Sequence, residues 1–121
     1  MKADIIEVFS SWQGEGIHLG VRQVFVRFNG CNINCSYCDT LPASHSKNIE
    51  KNTLLENIDD LEKRFGPHHS VAITGGEPLV HVDFLKSVLP QLKKKDFKLY
   101  LETNGTLPDA LSQVINFIDI I

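Results

Sequence analysis

A surplus of positive charge is missing from this sequence: twelve Lys and Arg stand against fifteen Asp and Glu, a formal net charge of −3. That argues against a general nucleic-acid binder, whose phosphate contacts need a basic excess. Long apolar runs are missing as well, and none approaches the ~20 residues of a membrane span. There is no internal repeat and no low-complexity tract. Cysteine is scarce, at three in 121 residues. The odd count argues against a disulfide framework. Met1-Lys2-Ala3-Asp4 leads into a segment interrupted by Glu7 and does not read as a secretory leader. Reduced cysteines and a cytoplasmic setting are therefore expected. The length allows one domain, 1–121, able to bury roughly 65% of its unfolded surface.

What is present is concentrated. All three cysteines fall in Cys31-Asn32-Ile33-Asn34-Cys35-Ser36-Tyr37-Cys38, a polar loop that does not look like a core run. A structural zinc site takes four protein ligands, so zinc here would need His45 or His18 beside the three thiolates. A four-iron cluster held by three thiolates keeps one iron open for another ligand and becomes a reactive site. Both alternatives stand on the loop alone.

Around the loop, strand and helix patterns alternate. A short strand-like start, Ile5 to Phe9, precedes a β-branched and aromatic strand from Val24 to Phe28. The segment from the cysteines to Asn52 reads as irregular. Thr53-Leu54-Leu55-Glu56 reads as a capping box opening a helix through Phe65, with Leu54, Leu55, Ile58, Leu61 and Phe65 on its apolar face. Gly66-Pro67 ends it. Val71 to Thr74 is the next strand, and Val82 to Lys94 the next helix, burying Phe84, Leu85, Val88, Leu89 and Leu92. Pro90 should kink or shorten that helix. Phe97 to Glu102, Pro108 to Ile115 and Phe117 to Ile121 read as strand, helix and strand. Lys93-Lys94-Lys95 is a solvated helix end with no assigned function. Such alternation predicts βαβ units and a parallel sheet.

In that architecture ligands gather at the carboxyl ends of the strands. Three strands end in polar motifs: the cysteine loop, Thr74-Gly75-Gly76-Glu77-Pro78, and Glu102-Thr103-Asn104-Gly105. Their convergence on one face favours the cluster over a zinc ribbon. Gly75-Gly76 suits close backbone approach to a ligand, or simply a strand-to-helix turn. Arg27 sits inside a strand expected to be buried on both faces, so its charge must meet a core carboxylate, loop carbonyls or a substrate carboxylate. Gln13 lies in the tight Trp12-Gln13-Gly14-Glu15-Gly16 loop. None of the five histidines is assigned a role.

The Cys-x3-Cys-x-aromatic-Cys spacing resembles the loop of radical S-adenosylmethionine (SAM) enzymes, with Tyr37 in the aromatic slot. The resemblance narrows further, to the 7-carboxy-7-deazaguanine synthase family. It is carried by Phe9-Ser10-Ser11-Trp12-Gln13-Gly14-Glu15-Gly16, Phe25-Val26-Arg27, Gly30-Cys31-Asn32, Cys35-Ser36-Tyr37-Cys38-Asp39-Thr40, Thr74-Gly75-Gly76-Glu77-Pro78-Leu79 and Glu102-Thr103-Asn104-Gly105-Thr106. It implies an α/β fold, a partial parallel (β/α) barrel, here ending after about four βα strands and so incomplete at its C-terminal side. It implies a lyase reaction in queuosine and deazapurine biosynthesis. Electron transfer to a 4Fe-4S cluster cleaves SAM, and the resulting radical abstracts hydrogen from 6-carboxy-5,6,7,8-tetrahydropterin, which contracts its ring and loses ammonia.

The resemblance assigns Cys31, Cys35 and Cys38 to the cluster and Thr40 to Mg2+. It assigns Tyr37, Cys38, Asp39, Gly76 and Glu77 to SAM, and Trp12, Gln13, Gly14, Arg27 and Thr74 to the pterin. A flavodoxin or ferredoxin donor and a homodimer follow from it, with no nucleic-acid or membrane partner. A glycyl-radical-activating enzyme, sharing the cysteine loop, is the alternative among enzymes, and a zinc-binding module the alternative outside them.

Overall fold

The computed structural model describes residues 1–14, 20–30 and 47–121. Five strands form one mixed sheet in the order β3-β1-β2-β4-β5. β1 (Lys2–Trp12) pairs antiparallel with both β2 (Arg22–Phe28) and β3 (Lys47–Glu50). β2, β4 (Ser70–Gly75) and β5 (Lys98–Leu101) run parallel. The parallel sheet expected from the sequence is thus its β2-β4-β5 part. The first strand, read as a short lead-in, is an eleven-residue antiparallel strand. β3 lies where an irregular stretch was expected.

Connections between parallel strands run through helices. α1 (Lys51–Phe65) lies between β3 and β4, and α2 (Val82–Lys94) between β4 and β5. After α3 (Pro108–Val114) and a 3-10 turn (Ile115–Phe117), the chain reaches β5 only as a single parallel bridge, Tyr100 with Ile120. The strand expected at Phe117–Ile121 is therefore not formed. Phe117 and Ile118 pack on the core instead. Asp119 locks this segment, its carboxylate accepting from Leu99 N at 2.8 Å and from Lys93 Nζ at 2.7 Å. Lys95 Nζ donates to Asp59. Two of the three successive lysines are thus tethered, not merely solvated.

The capping box is not used. α1 begins at Lys51, because the Lys51 N–H finds the Met1 carbonyl at 3.0 Å across the β1-β3 pair. A tertiary acceptor satisfies an orphan helix donor just as a side-chain cap would. Leu54 and Ile58 are fully buried, Leu55 and Leu61 partly, and Phe65 is 46% exposed under the Arg64 guanidinium. α2 runs its full length through Pro90. An internal proline costs about 3 kcal/mol, whereas burying each large apolar side chain contributes about 1.5–3 kcal/mol. All five side chains expected on its inner face are buried, so packing outweighs the lost hydrogen bond.

The described helices share one core with the sheet. Ala3 and Ile5 of β1, Val24, Val26 and Phe28 of β2, Val71 and Ile73 of β4, and Leu99 and Leu101 of β5 form the core with them. A bulge between Ile5 and Glu7 changes the phase of β1, because Ile5 pairs with Phe28 but Glu7 with Arg27. One extra residue flips every later side chain to the other face. Ile5 therefore enters the core while Phe9 and Ser11 face the opposite side. That side is where the polar residues gather. Among the described residues, no helix is long and apolar enough to cross a membrane.

Candidate active site

Every parallel strand carries its polar motif at its carboxyl end, and Glu77 ties these ends together. Its side chain is fully buried. Oε1 accepts from Thr103 Oγ1 at 2.7 Å and Asn104 N at 2.6 Å, and Oε2 accepts from Leu79 N at 2.8 Å. Its own N–H donates to Gly30 O at 2.8 Å, and Gly76 N donates to Phe28 O at 3.1 Å. The entrance to the cysteine loop is thus bonded directly to the Gly76-Glu77 turn. His81 strengthens the joint: Nε2 donates to Asn29 O at 2.7 Å and the ring stacks on Phe28. No histidine role was anticipated from the sequence. Nothing local marked His81.

Gly75 has φ +137°, and a Cβ there would lie 2.2 Å from Phe28 O. The close approach that its missing side chain allows is to the neighbouring strand. Glu77, expected near SAM, has both carboxylate oxygens committed to protein donors. It is a junction between motifs.

The open face of the sheet forms a cleft of about 300 Å3, lined by Phe9, Ser11, Trp12, Gln13, Gly14, Phe25, Arg27, Thr74 and Glu102. All five residues expected at the substrate, Trp12, Gln13, Gly14, Arg27 and Thr74, line this one cavity. Each is placed by strand register. Phe9 and Phe25 are cross-strand partners with rings stacked at 5.1 Å. Arg27 pairs with Glu7 on one side and Thr74 on the other. Thr74 Oγ1 donates to Glu102 Oε2 at 2.9 Å. Trp12 is 60% exposed at the rim, with the Arg22 guanidinium over its ring.

Arg27 corrects one expectation. On the face away from the helices, Phe25 and Arg27 are only half-buried and line the cleft. Among the described lining residues, the guanidinium carries the only positive charge. Its Nε sits 3.4 Å from Glu7 Oε1, near enough for ionic attraction but not aligned as a hydrogen bond. The Nε is also inaccessible to solvent and hydrogen-bonds no described group.

The sequence reading did not single out the Phe9-Phe25 pair as a site feature, or Gln23 at all. The signal for the first was the odd-numbered alternation Phe25, Arg27 against the apolar Val24, Val26, Phe28. Cys31, Cys35, Cys38, Tyr37, Asp39, Thr40, His18 and His45 lie outside the described residues. Among the described residues, no cluster of three His, Cys, Asp or Glu side chains is assembled for a metal.

Comparison with known proteins joins these pieces. The Radical SAM superfamily model matches residues 25–120. A 7-carboxy-7-deazaguanine synthase of Methanothermobacter thermautotrophicus is 44% identical over 120 residues, covering 98% of this chain and 47% of that protein. One of Geobacter sulfurreducens is 41% identical over 140 residues, covering 98% of this chain and 55% of that protein. The crystal structure of QueE from Escherichia coli superposes with a TM-score of 0.74 at 28% identity, covering 87% of this chain and 53% of that one. The chain spans about half the length of the curated relatives it matches.

Proposed function

This chain belongs to the radical SAM superfamily, and on that premise we propose that it serves the conversion of 6-carboxy-5,6,7,8-tetrahydropterin to 7-carboxy-7-deazaguanine with loss of ammonia. The single observation carrying this reading is the cleft in which Trp12, Gln13, Gly14, Arg27 and Thr74 meet. The named activity of the relatives supports it. Membership of the superfamily replaces the zinc alternative. The relatives favour the deazaguanine reaction over glycyl-radical activation.

The cleft's chemistry suits a flat, carboxylated, nitrogen-rich ring. The stacked Phe9 and Phe25 rings offer an apolar surface for a planar heterocycle. Arg27 supplies a planar, permanently charged fork for its carboxylate. Glu102 accepts N–H donors of the ring, its carboxylate oriented by Thr74. Trp12 covers the rim and limits water entry.

Three thiolates, Cys31, Cys35 and Cys38, are a donor set that fits a four-iron cluster with one iron left open. Tyr37, Cys38, Asp39 and Gly76 would hold SAM, and Thr40 would give Mg2+ a hard oxygen ligand. Glu77 belongs to this group by fixing the turn that carries Gly76. Once bound, cluster and SAM supply one-electron reductive chemistry, while the chain positions the carboxylated carbon and excludes water. We include in this reading one radical SAM core domain, a cytoplasmic setting inferred from the reduced cysteines, and a flavodoxin or ferredoxin donor and a homodimer drawn from the family resemblance.

Anaerobic titration with the tetrahydropterin tests the assignment. Arg27→Ala should weaken its binding roughly ten- to hundredfold, the value of a lost hydrogen bond to a charged group, and leave SAM affinity unchanged. Unchanged pterin affinity would remove the assignment. A four-iron electron paramagnetic resonance signal that shifts on adding SAM tests the cofactor half separately.

A further inference from the structure

The cleft's polar lining continues into the protein through a residue with no role so far. Gln23, near the start of β2, is fully buried. Its Oε1 accepts from Gln13 Nε2 at 2.9 Å, and its Nε2 donates to Ser70 Oγ at 2.7 Å. Ser70, also fully buried, is the residue opposite Gln23 in the β2-β4 register, and His69 Nδ1 lies 3.0 Å from its hydroxyl. A primary amide inside a sheet is costly unless both ends are bonded. Here both are, and the two ends differ: one is an acceptor, the other a donor. Turning Gln23 alone would set its amide nitrogen against that of Gln13, donor facing donor.

We propose that Gln23 is a positioning residue for the cleft. It holds the Gln13 carboxamide with its nitrogen turned into the protein and its oxygen turned away from Gln23, so that this end of the cleft selects a ring N–H over a ring acceptor. The ligand part of this inference rests on the pterin reading of the site; the hold on Gln13 does not.

Two substitutions separate positioning from packing. Gln23→Met keeps the volume and removes the acceptor. Gln23→Glu keeps an acceptor toward Gln13 in either protonation state, and when protonated it also keeps a donor toward Ser70. Nuclear magnetic resonance of 15N-labelled protein reads the Gln13 side-chain amide directly. Its exchange with solvent should be slow in the wild type and in Gln23→Glu, and about tenfold faster in Gln23→Met, as loss of one neutral hydrogen bond implies.

Titration with pterin and with 6-carboxypterin adds the functional arm. Gln23→Met should weaken both ligands by a similar factor of about ten, and Gln23→Glu by less than about twofold, because Gln13 reads the ring and not the carboxylate. Unaltered exchange in Gln23→Met overturns the hold on Gln13. Equal weakening by Met and Glu reduces Gln23 to a packing residue and overturns the positioning role. If wild-type protein binds neither pterin, the functional reading falls and the selection with it, while the exchange data still decide the orientation of Gln13.

Discussion

Glu77→Gln changes one atom in the residue that joins three motifs, and its cost follows from counting donors. Three donors point at the buried carboxylate: Thr103 Oγ1 and Asn104 N at Oε1, and Leu79 N at Oε2. Glutamine keeps one acceptor. With its carbonyl on the Oε1 side, two bonds survive in weaker, neutral form, and an NH2 group faces the Leu79 N–H. Losing one bond to a charged acceptor costs about 1.5–3 kcal/mol, and charge-assisted bonds are about twice as strong as neutral ones. Neutralising a buried group recovers some desolvation energy, but the donors remain aimed at it and stay buried. A net loss of about 3 kcal/mol is expected.

Glu77→Ala strands all three donors and should cost about 5 kcal/mol, enough to threaten a domain whose total stability is on the order of 5–15 kcal/mol. Urea unfolding of the apo protein measures both. Amide exchange at Leu79 and Asn104 shows whether the loss is local to the junction. A Glu77→Gln variant within about 0.5 kcal/mol of wild type, the range of neutral surface changes, would refute the junction.

Two further outcomes follow from the same geometry. Gly75→Ala should cost about 3 kcal/mol or more, since φ is +137° and the new Cβ would meet Phe28 backbone atoms; a small shift in the melting curve would contradict this. Burial raises the Asp119 carboxyl, but hydrogen bonds from Lys93 Nζ and Leu99 N, with nearby lysine charge, outweigh it and leave the group below its ordinary value of 3.8. A folded value below the unfolded one means stability present at neutral pH and lost as pH falls through the folded value. The side chain is 37% exposed, so Asp119→Asn should cost under about 1 kcal/mol at pH 7, converging on wild type in acid. A difference independent of pH would sink that account.

Periodicity made much of the fold legible. Val71 to Ile73 is an unbroken apolar run, and α2 repeats its buried residues at helical spacing, so both elements could be placed from residues alone. β3 could not. Lys47-Asn48-Ile49-Glu50 has no strand pattern of its own, and it is extended because β1 offers an edge. The α1 start was misread for a related reason: the acceptor that fixes it is Met1 O, fifty positions away in sequence. The bulge at Ile6 leaves no local mark either, yet it decides which half of β1 faces the core.

The candidate site divides along the same physical line. Some residues that line the cleft are chemically out of place in their own segment, as an arginine in a strand or a glycine beside a glutamate is, and the sequence exposes those, whereas Phe9 and Phe25 suit a strand and carry no such mark. Arg27 is such a residue, and the structure changes the explanation of its placement. Its strand was expected to be buried on both faces, leaving its charge in need of a partner; Arg27 is instead half-buried and lines the cleft. Under the proposed function, the cleft face is the one the substrate would meet. Glu77, Gln23 and His81 act on other residues, and their meaning lies in which donors and acceptors meet them across strands. A glutamine next to the apolar run of a strand looks the same in sequence whether it is tolerated or required. Only its two directional bonds, one to the cleft and one to β4, make the distinction, and this is why Gln23 is the position where substitution by Met and by Glu should diverge.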